Sequence, residues 1–156
     1  MAQFSANQPN LSTAASSTNL QYWVLTQITA GNISKVKLFN WGGGDTSLIS
    51  ISTRWAKVSN VPATPTALPI SSCSPGTGVA PNATCNTYGT PATATAGYAL
   101  FSQTWNSQGG GGTIVLPLGG EWFISGGALG TLYNQIGCGC FVGTSSNISF
   151  GVQWDE

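Results

Sequence analysis

The chain has 156 residues, a net charge of zero and only eight fully charged side chains, and it contains no histidine. Without histidine it lacks the commonest general base and metal ligand, and without net charge it has no long-range field to attract nucleic acid or an anionic membrane. The hydrophobic content of 41%, with six Trp and six Phe, argues against disorder. Composition therefore favours a binding protein or a structural protein over an enzyme, and it predicts no cofactor and no metal.

The first 19 residues are polar and show no sustained alternation. They lack the basic start and the apolar stretch of a signal peptide, and no segment of the chain approaches the roughly 18 apolar residues of a membrane span. We expect an irregular N-terminal arm over residues 1–19, made in a cytoplasm and not exported by the general route. Ordering such an arm costs about 1 to 2 kcal/mol per residue, so Phe4 would anchor it to a partner; a disordered tail is the alternative.

The next part of the chain alternates between apolar and polar residues with the period of β-strands. Strands are predicted over 20–30 and 32–40, joined as a hairpin, and over 46–58 after a glycine turn at 42–45. Lys35 and Lys37 alternate with apolar residues and are predicted to point to water. The apolar faces are predicted to include Leu20, Tyr22, Val24, Ile28, Val36, Leu38, Ile49, Ile51 and Trp55.

Residues 59–96 differ in texture, since they contain six of the eight prolines and no sustained alternation. Proline cannot donate to a central ladder, so this range is predicted to be a long insertion loop that could include a short strand over 68–72. Long ordered excursions from a core are usually functional. Its apolar residues, such as Leu68 and Val79, have no obvious partner nearby in the sequence.

Regular alternation then resumes and predicts strands over 97–106, 113–118, 121–125 and 147–154. Gly119 and Gly120 predict a tight hairpin between the second and third of these strands. The stretch 128–142 could form two short strands or a turn of helix. The last strand has the cleanest alternation, and its inward face is predicted to be Ile148, Phe150, Val152 and Trp154.

These elements predict an all-β domain over residues 20–156, built from about eight to ten strands. Two packed antiparallel sheets are the natural way to bury one face of each strand. A jelly-roll-like sandwich accommodates eight strands and long loops. An immunoglobulin-like sandwich is the alternative, although the Cys…Trp…Cys spacing of a true immunoglobulin domain is missing.

The cysteines do not have the spacing of a zinc site. A disulfide between Cys73 and Cys85 would close a loop rich in glycine and proline and would restrict the unfolded chain by about 3 kcal/mol. Free thiols are the alternative for a cytoplasmic product. Cys138 and Cys140 are separated by one residue, so they lack the two-residue spacer of a redox pair.

Catalytic candidates are few. Asp45 and Glu121 could serve glycoside hydrolysis only if the fold held them roughly 5 to 9.5 Å apart, and nothing in the sequence brings them together. The glycine runs at 42–44 and 109–112 lack the Lys-Ser/Thr and the helix of a phosphate-binding loop, so we interpret them as turns. No catalytic residue is predicted.

Trp41 and Trp105 lie at the ends of predicted strands, beside the two glycine runs. An exposed indole offers a flat apolar face to a sugar ring or to a partner protein, whereas a buried indole contributes to the core. The sequence leaves both interpretations open for these two residues. Together with Phe4 they are the candidate contact residues.

The order of four segments carries a resemblance to a known family. The segments are KVKLFN, ISISTRWAK, TIVLPLGGEWFIS and ISFGVQWDE, within residues 20–58 and 97–156. In texture and order the chain resembles small virion proteins of tailed phages, in particular the jelly-roll head-decoration (cement) proteins, including those of cyanophages. The resemblance implies a β-sandwich that forms homotrimers on the capsid surface, bridges neighbouring major capsid proteins and has no enzymatic activity.

The residues and the resemblance predict two alternative functions. The first is a structural virion protein that binds the outer surface of a phage head. The alternative is a carbohydrate-binding or receptor-binding sandwich of a phage tail or fibre, which would use Trp41 and Trp105.

Overall fold

The computed structural model describes residues 1–13, 16–43, 50–58, 64–74, 78–93, 96–106, 108–127, 134–142 and 146–156. Twelve strands occur in these ranges. They are β1 (Gln3–Thr13), β2 (Ser16–Gln27), β3 (Ile33–Gly43), β4 (Ser50–Val58), β5 (Pro65–Ala67), β6 (Ile70–Ser72), β7 (Ala83–Thr93), β8 (Ala96–Asn106), β9 (Gly111–Val115), β10 (Trp122–Ser125), β11 (Gln135–Val142) and β12 (Ser146–Asp155). No helix of the described residues is long and apolar enough to cross a membrane.

The strands form two antiparallel sheets, which confirms the predicted β-sandwich. The first sheet has the order β10-β3-β12-β1-β6, with β9 also paired to β3, and the second has the order β5-β7-β2-β11-β4-β8. Strands β9 and β10 follow each other along the same edge of β3. At most connections the next strand belongs to the other sheet. The long strands thus follow a jelly-roll-like order and not the immunoglobulin-like alternative.

Aromatic side chains join the two sheets. The rings of Phe39 and Trp55 lie 4.4 Å apart and those of Trp55 and Phe150 lie 6.0 Å apart, so residues of β3, β4 and β12 meet in the centre of the sandwich. The predicted inward face of the last strand is confirmed, since all four of its apolar residues are buried: Ile148, Phe150, Val152 and Trp154. Ile51 and Trp55 of β4 are likewise buried, as predicted, whereas Ile49 lies outside the described residues.

Two predicted hairpins are not formed. Strands β2 and β3 belong to different sheets, so the turn with Asn32 N–H donating to the Thr29 carbonyl (3.1 Å) is a corner of the sandwich. Strands β9 and β10 do not pair with each other, because both pair with β3. A turn does occur at the predicted place, where the Gly120 N–H donates to the Pro117 carbonyl at 2.8 Å. Local sequence therefore located these two turns but not the partners of the strands.

The N-terminal segment is a strand and not the irregular arm that the sequence predicts. Strand β1 pairs with β12 on one side and with β6 on the other. Phe4 is buried, with its ring 5.9 Å from that of Trp154. Only Phe4 and Ala6 alternate with polar residues here, and this short pattern becomes a strand because β12 supplies the hydrogen-bonding partner.

The insertion over 59–96 is also more ordered than predicted. It contributes β5 and β7 to the second sheet and β6 to the first, and Leu68 and Ile70 pack against the core. The side-chain carboxylate of Glu156 fixes the start of β7, because it accepts hydrogen bonds from the backbone N–H groups of Asn82 (2.6 Å) and Ala83 (2.9 Å). Residues distant in sequence therefore hold this segment in place.

Candidate binding site on the first sheet

The outer face of the first sheet is the face turned away from the second sheet. In β3 the buried residues Phe39 and Trp41 flank Asn40, and in β12 the buried residues Ile148 and Phe150 flank Ser149. Because successive side chains of a strand point to opposite faces, Asn40 and Ser149 project from the outer face. This face carries two chemically different regions.

The first region is a groove of about 400 Å³, which we call the amide groove. Its lining contains five residues with amide or hydroxyl side chains, Asn7, Gln8, Asn40, Thr113 and Ser149, and four other residues, Pro9, Trp41, Gly112 and Phe150. No charged side chain lines it. The groove is therefore a neutral site that offers amide and hydroxyl groups for hydrogen bonds.

Strand register explains why these residues meet. Asn7 of β1 is the register partner of Gly151 in β12, Gly151 is the partner of Asn40 in β3, and Asn40 is the partner of Thr113 in β9. One row thus crosses four strands. A Cβ atom at residue 151 would overlap the Oδ1 atoms of both Asn7 and Asn40. The two amides therefore converge over the backbone of Gly151, and only glycine leaves them that space.

A second row consists of Ser149, which lines the amide groove, and its register neighbours Gly42 and Gly111. The Ser149 hydroxyl donates to the Gly42 carbonyl at 3.3 Å. A Cβ at Gly111 would lie 2.6 Å from the Trp41 carbonyl oxygen, and one at Gly112 would lie 2.7 Å from Trp41 Cζ2. These glycines of the second run are required by close packing against β3. At the first run, Gly42 and Gly43 extend β3 and do not form the predicted turn.

The second region is an exposed apolar edge, formed by Ile33, Val115, Leu118 and Phe123. Their exposed fractions are 50%, 68%, 96% and 47%. Phe123 and Val115 lie on the edge strands β10 and β9, and Leu118 lies in the turn between them. Apolar residues gathered at one edge of a sheet are a common mark of a protein–protein contact.

Charged groups surround the apolar edge and are held in place. Lys35 Nζ lies 5.8 Å from the centroid of the Phe123 ring, and Lys37 forms an ion pair with Asp155. Lys57 reaches from the second sheet to donate to the Phe123 carbonyl, and burial lowers the pKa of Lys57 to about 8. Lys57 therefore links the two sheets below this edge.

Glu121 fixes the turn beside the apolar edge. Its own backbone N–H, and that of Gly119 at 2.7 Å, donate to its carboxylate and hold its pKa below the usual range, and the charges of Lys35 and Lys37 act in the same direction. In a turn, an ionised carboxylate commonly accepts hydrogen bonds from nearby backbone N–H groups. Asp45, its hypothetical catalytic partner, lies outside the described residues.

The candidate contact residues are placed differently from one another. Trp41 lines the amide groove, but its side chain is only 6% exposed and its ring packs 5.8 Å from that of Phe101. Trp105 is 9% exposed and Phe4 1% exposed, and both belong to the core. Of the two interpretations of Trp41 and Trp105, packing in the core is the one that the structure shows. Neither indole has a face open for stacking on a sugar ring.

The disulfide between Cys73 and Cys85 is not formed in the structure, where both thiols are free. Cys73 is exposed after β6 of the first sheet, whereas Cys85 is buried in β7 of the second. Burial raises the pKa of the Cys85 thiol well above its usual value. Cys138 and Cys140 follow each other along β11. Among the described residues no group of three or more Cys, Asp or Glu could hold a metal ion.

The amide and hydroxyl residues that line the amide groove were not among the residues predicted from the sequence, although Trp41 was. Asn7 belonged to a presumed arm, Asn40 ended a predicted strand, and Ser149 was only one of several outward polar residues. The one available signal was Gly151, a glycine inside the cleanest strand of the chain, since such a glycine often marks close approach of other atoms.

No protein-family model, no curated protein and no solved structure matches the chain. The resemblance to cement proteins stays a prediction, and the surfaces of the first sheet are the basis for a functional assignment.

Proposed function

We propose that this chain is a structural virion protein of the decoration (cement) class, which binds the outer surface of a phage head and bridges neighbouring capsid subunits. The observation that carries the proposal is the apolar edge of the first sheet. Its partners are copies of the same chain, as a homotrimer, and the major capsid protein. The proposed location is the capsid surface, and no enzymatic activity is assigned.

The apolar edge supports this proposal through its exposure. Burying an exposed Val, Leu, Ile or Phe side chain contributes up to about 1.5 to 3 kcal/mol, and four such residues gather at this edge. Val115 and Phe123 are fixed on strands, so a partner would meet them with little further loss of conformational freedom.

The charge distribution supports the same proposal. Only 5% of the residues are charged, and the net charge is zero. Contacts that depend on burial and neutral hydrogen bonds change little with ionic strength, which suits a protein that must hold a shell together in varying surroundings. A neutral surface also resists self-association poorly.

The test is a pair of measurements on the full chain. Sedimentation velocity gives the oligomeric state, and cosedimentation with heads of the encoding virus, prepared without this protein, gives capsid binding. We expect a trimer that binds the heads. The double variant Val115→Ser/Phe123→Ser should weaken both associations by at least tenfold, because both side chains lose apolar contact area.

Val79→Ser is the matched control, since Val79 is 51% exposed and lies outside the apolar edge. This variant should assemble and bind like the original chain. A monomer that ignores the heads would refute the proposal, and so would equal losses from the control and the double variant.

A further inference from the structure

The geometry points to a second binding site: we infer that the amide groove binds a neutral oligosaccharide. This inference does not depend on the proposed virion function, because it uses a different part of the outer face. It also differs from the stacking site expected at the two buried indoles, since amides and hydroxyls supply the contacts.

The first support is the preformed arrangement of hydrogen-bonding groups. The side-chain amides of Asn7 and Asn40 converge over Gly151, and Thr113 follows them in the same row. Each amide offers a carbonyl acceptor and two N–H donors, and each hydroxyl offers both functions. A sugar hydroxyl also donates and accepts, so this row can satisfy it from both sides.

The second support is the shape of the floor. Gly112 lines the groove without a side chain, and Gly151 leaves the space that the amides of Asn7 and Asn40 occupy. Four strands at a spacing of about 4.8 Å make the row about 14 Å long, which is longer than one sugar ring. Pro9 adds an apolar ring to the lining, and binding sites of this size combine apolar groups with a few placed polar ones.

Two other ligand classes fit the amide groove less well. A charged ligand would find no charged side chain in the lining. An extended peptide binds by adding to a free sheet edge, whereas the centre of the amide groove lies on the face of the sheet over β12 and β3, which each have a paired strand on both sides at this row. A neutral polyhydroxyl ligand is the class that uses what the groove presents.

The experiment is a calorimetric titration of the full chain with cellohexaose, maltohexaose and chitohexaose, and with trigalacturonic acid as the acidic comparison. We expect at least one neutral hexaose to bind with one site per chain. Asn7→Ala and Asn40→Ala should each weaken that binding by about tenfold. Raising the salt from 50 to 500 mM should change the affinity by less than about twofold.

Ser5→Ala is the matched control. Ser5 lies on β1, two residues before Asn7 and on the same face, but outside the amide groove. Absence of binding to all three neutral hexaoses, preference for the acidic sugar, or binding that survives both asparagine variants would overturn the inference.

Discussion

The two regions of the outer face share one sheet but depend on different physics. In the amide groove, glycines let side chains and strands approach closely, and the exposed groups are neutral donors and acceptors. At the apolar edge, side chains project from short edge strands and charged residues surround them. The groove is therefore sensitive to added volume, and the edge is sensitive to lost apolar area and to changes in charge.

This difference teaches how one sandwich can separate two kinds of contact. Neutral hydrogen bonds give geometric selection with little salt dependence, whereas burial of apolar area gives adhesion that is roughly proportional to area. Val115 and Thr113 are only two residues apart on β9, yet they belong to different regions. Added volume therefore tests the amide groove, and changes in charge or apolar area test the apolar edge.

The largest effect is expected from added volume next to the amide groove. A Cβ at Gly110 would overlap the carbonyl oxygen of Asn106, a backbone atom that cannot move aside independently. Gly110→Ala should therefore lower the free energy of unfolding by about 2 to 3 kcal/mol. Urea denaturation followed by tryptophan fluorescence measures this loss.

Gly127→Ala provides the control for added volume, since a Cβ there would meet nothing within 4 Å. Its free energy of unfolding should stay within about 0.5 kcal/mol of the original value. Equal stability of the two alanine variants would contradict the close packing beside the groove.

A smaller effect is expected from pH at the apolar edge. Burial lowers the pKa of Lys57 to about 8 in the folded protein, whereas the pKa of a lysine in an unfolded chain is about 10.4. Between these values the unfolded chain holds the extra proton, so stability from this group rises as the pH rises. We expect a gain of about 1 kcal/mol between pH 8 and 10, after allowing for solvent screening of the partly exposed ammonium.

Lys57→Met isolates this contribution, because other groups also titrate in this range. The free energy of unfolding of the original chain, minus that of Lys57→Met, should increase between pH 8 and 10 in chemical denaturation experiments. A difference that stays constant would show that Lys57 keeps an ordinary pKa, and one that falls with pH would show that folding raises this pKa.

The smallest effect is expected from the cation over the aromatic ring. Lys35 Nζ lies 5.8 Å from the centroid of Phe123, and such contacts at exposed sites contribute about 0.5 kcal/mol. A double-mutant cycle with Lys35→Gln and Phe123→Leu should give a favourable coupling of this size. Additive effects of the two substitutions would mean that the lysine does not interact with the ring.

Most of the strands could be predicted from the sequence, because burial of one face imposes a period of two. Trp55 and the four inward residues of β12 are where this period places them. The bulge between Val36 and Leu38 could not be predicted. It moves Leu38 into a row with exposed Val115 and partly exposed Gln153, although the alternation placed Leu38 with buried Val36.

The amide groove could not be predicted for a different reason. Its central row combines residues 7, 40, 113 and 151, which lie on four strands. Each of these residues is an ordinary polar or glycine position in its own segment. Only the register between strands makes them neighbours, and register depends on partners that are far away in the chain.

The amino-acid sequence by itself determined the class of fold, because alternating apolar residues with few charges can be buried only between sheets. It also determined the neutral character of the surface, since composition alone fixes that property. Tertiary structure alone decided that Phe4 belongs to the core, that β9 and β10 share the edge of β3, and that two asparagines meet over Gly151. These outcomes depend on strand pairing over long sequence separations, which local residue patterns do not encode.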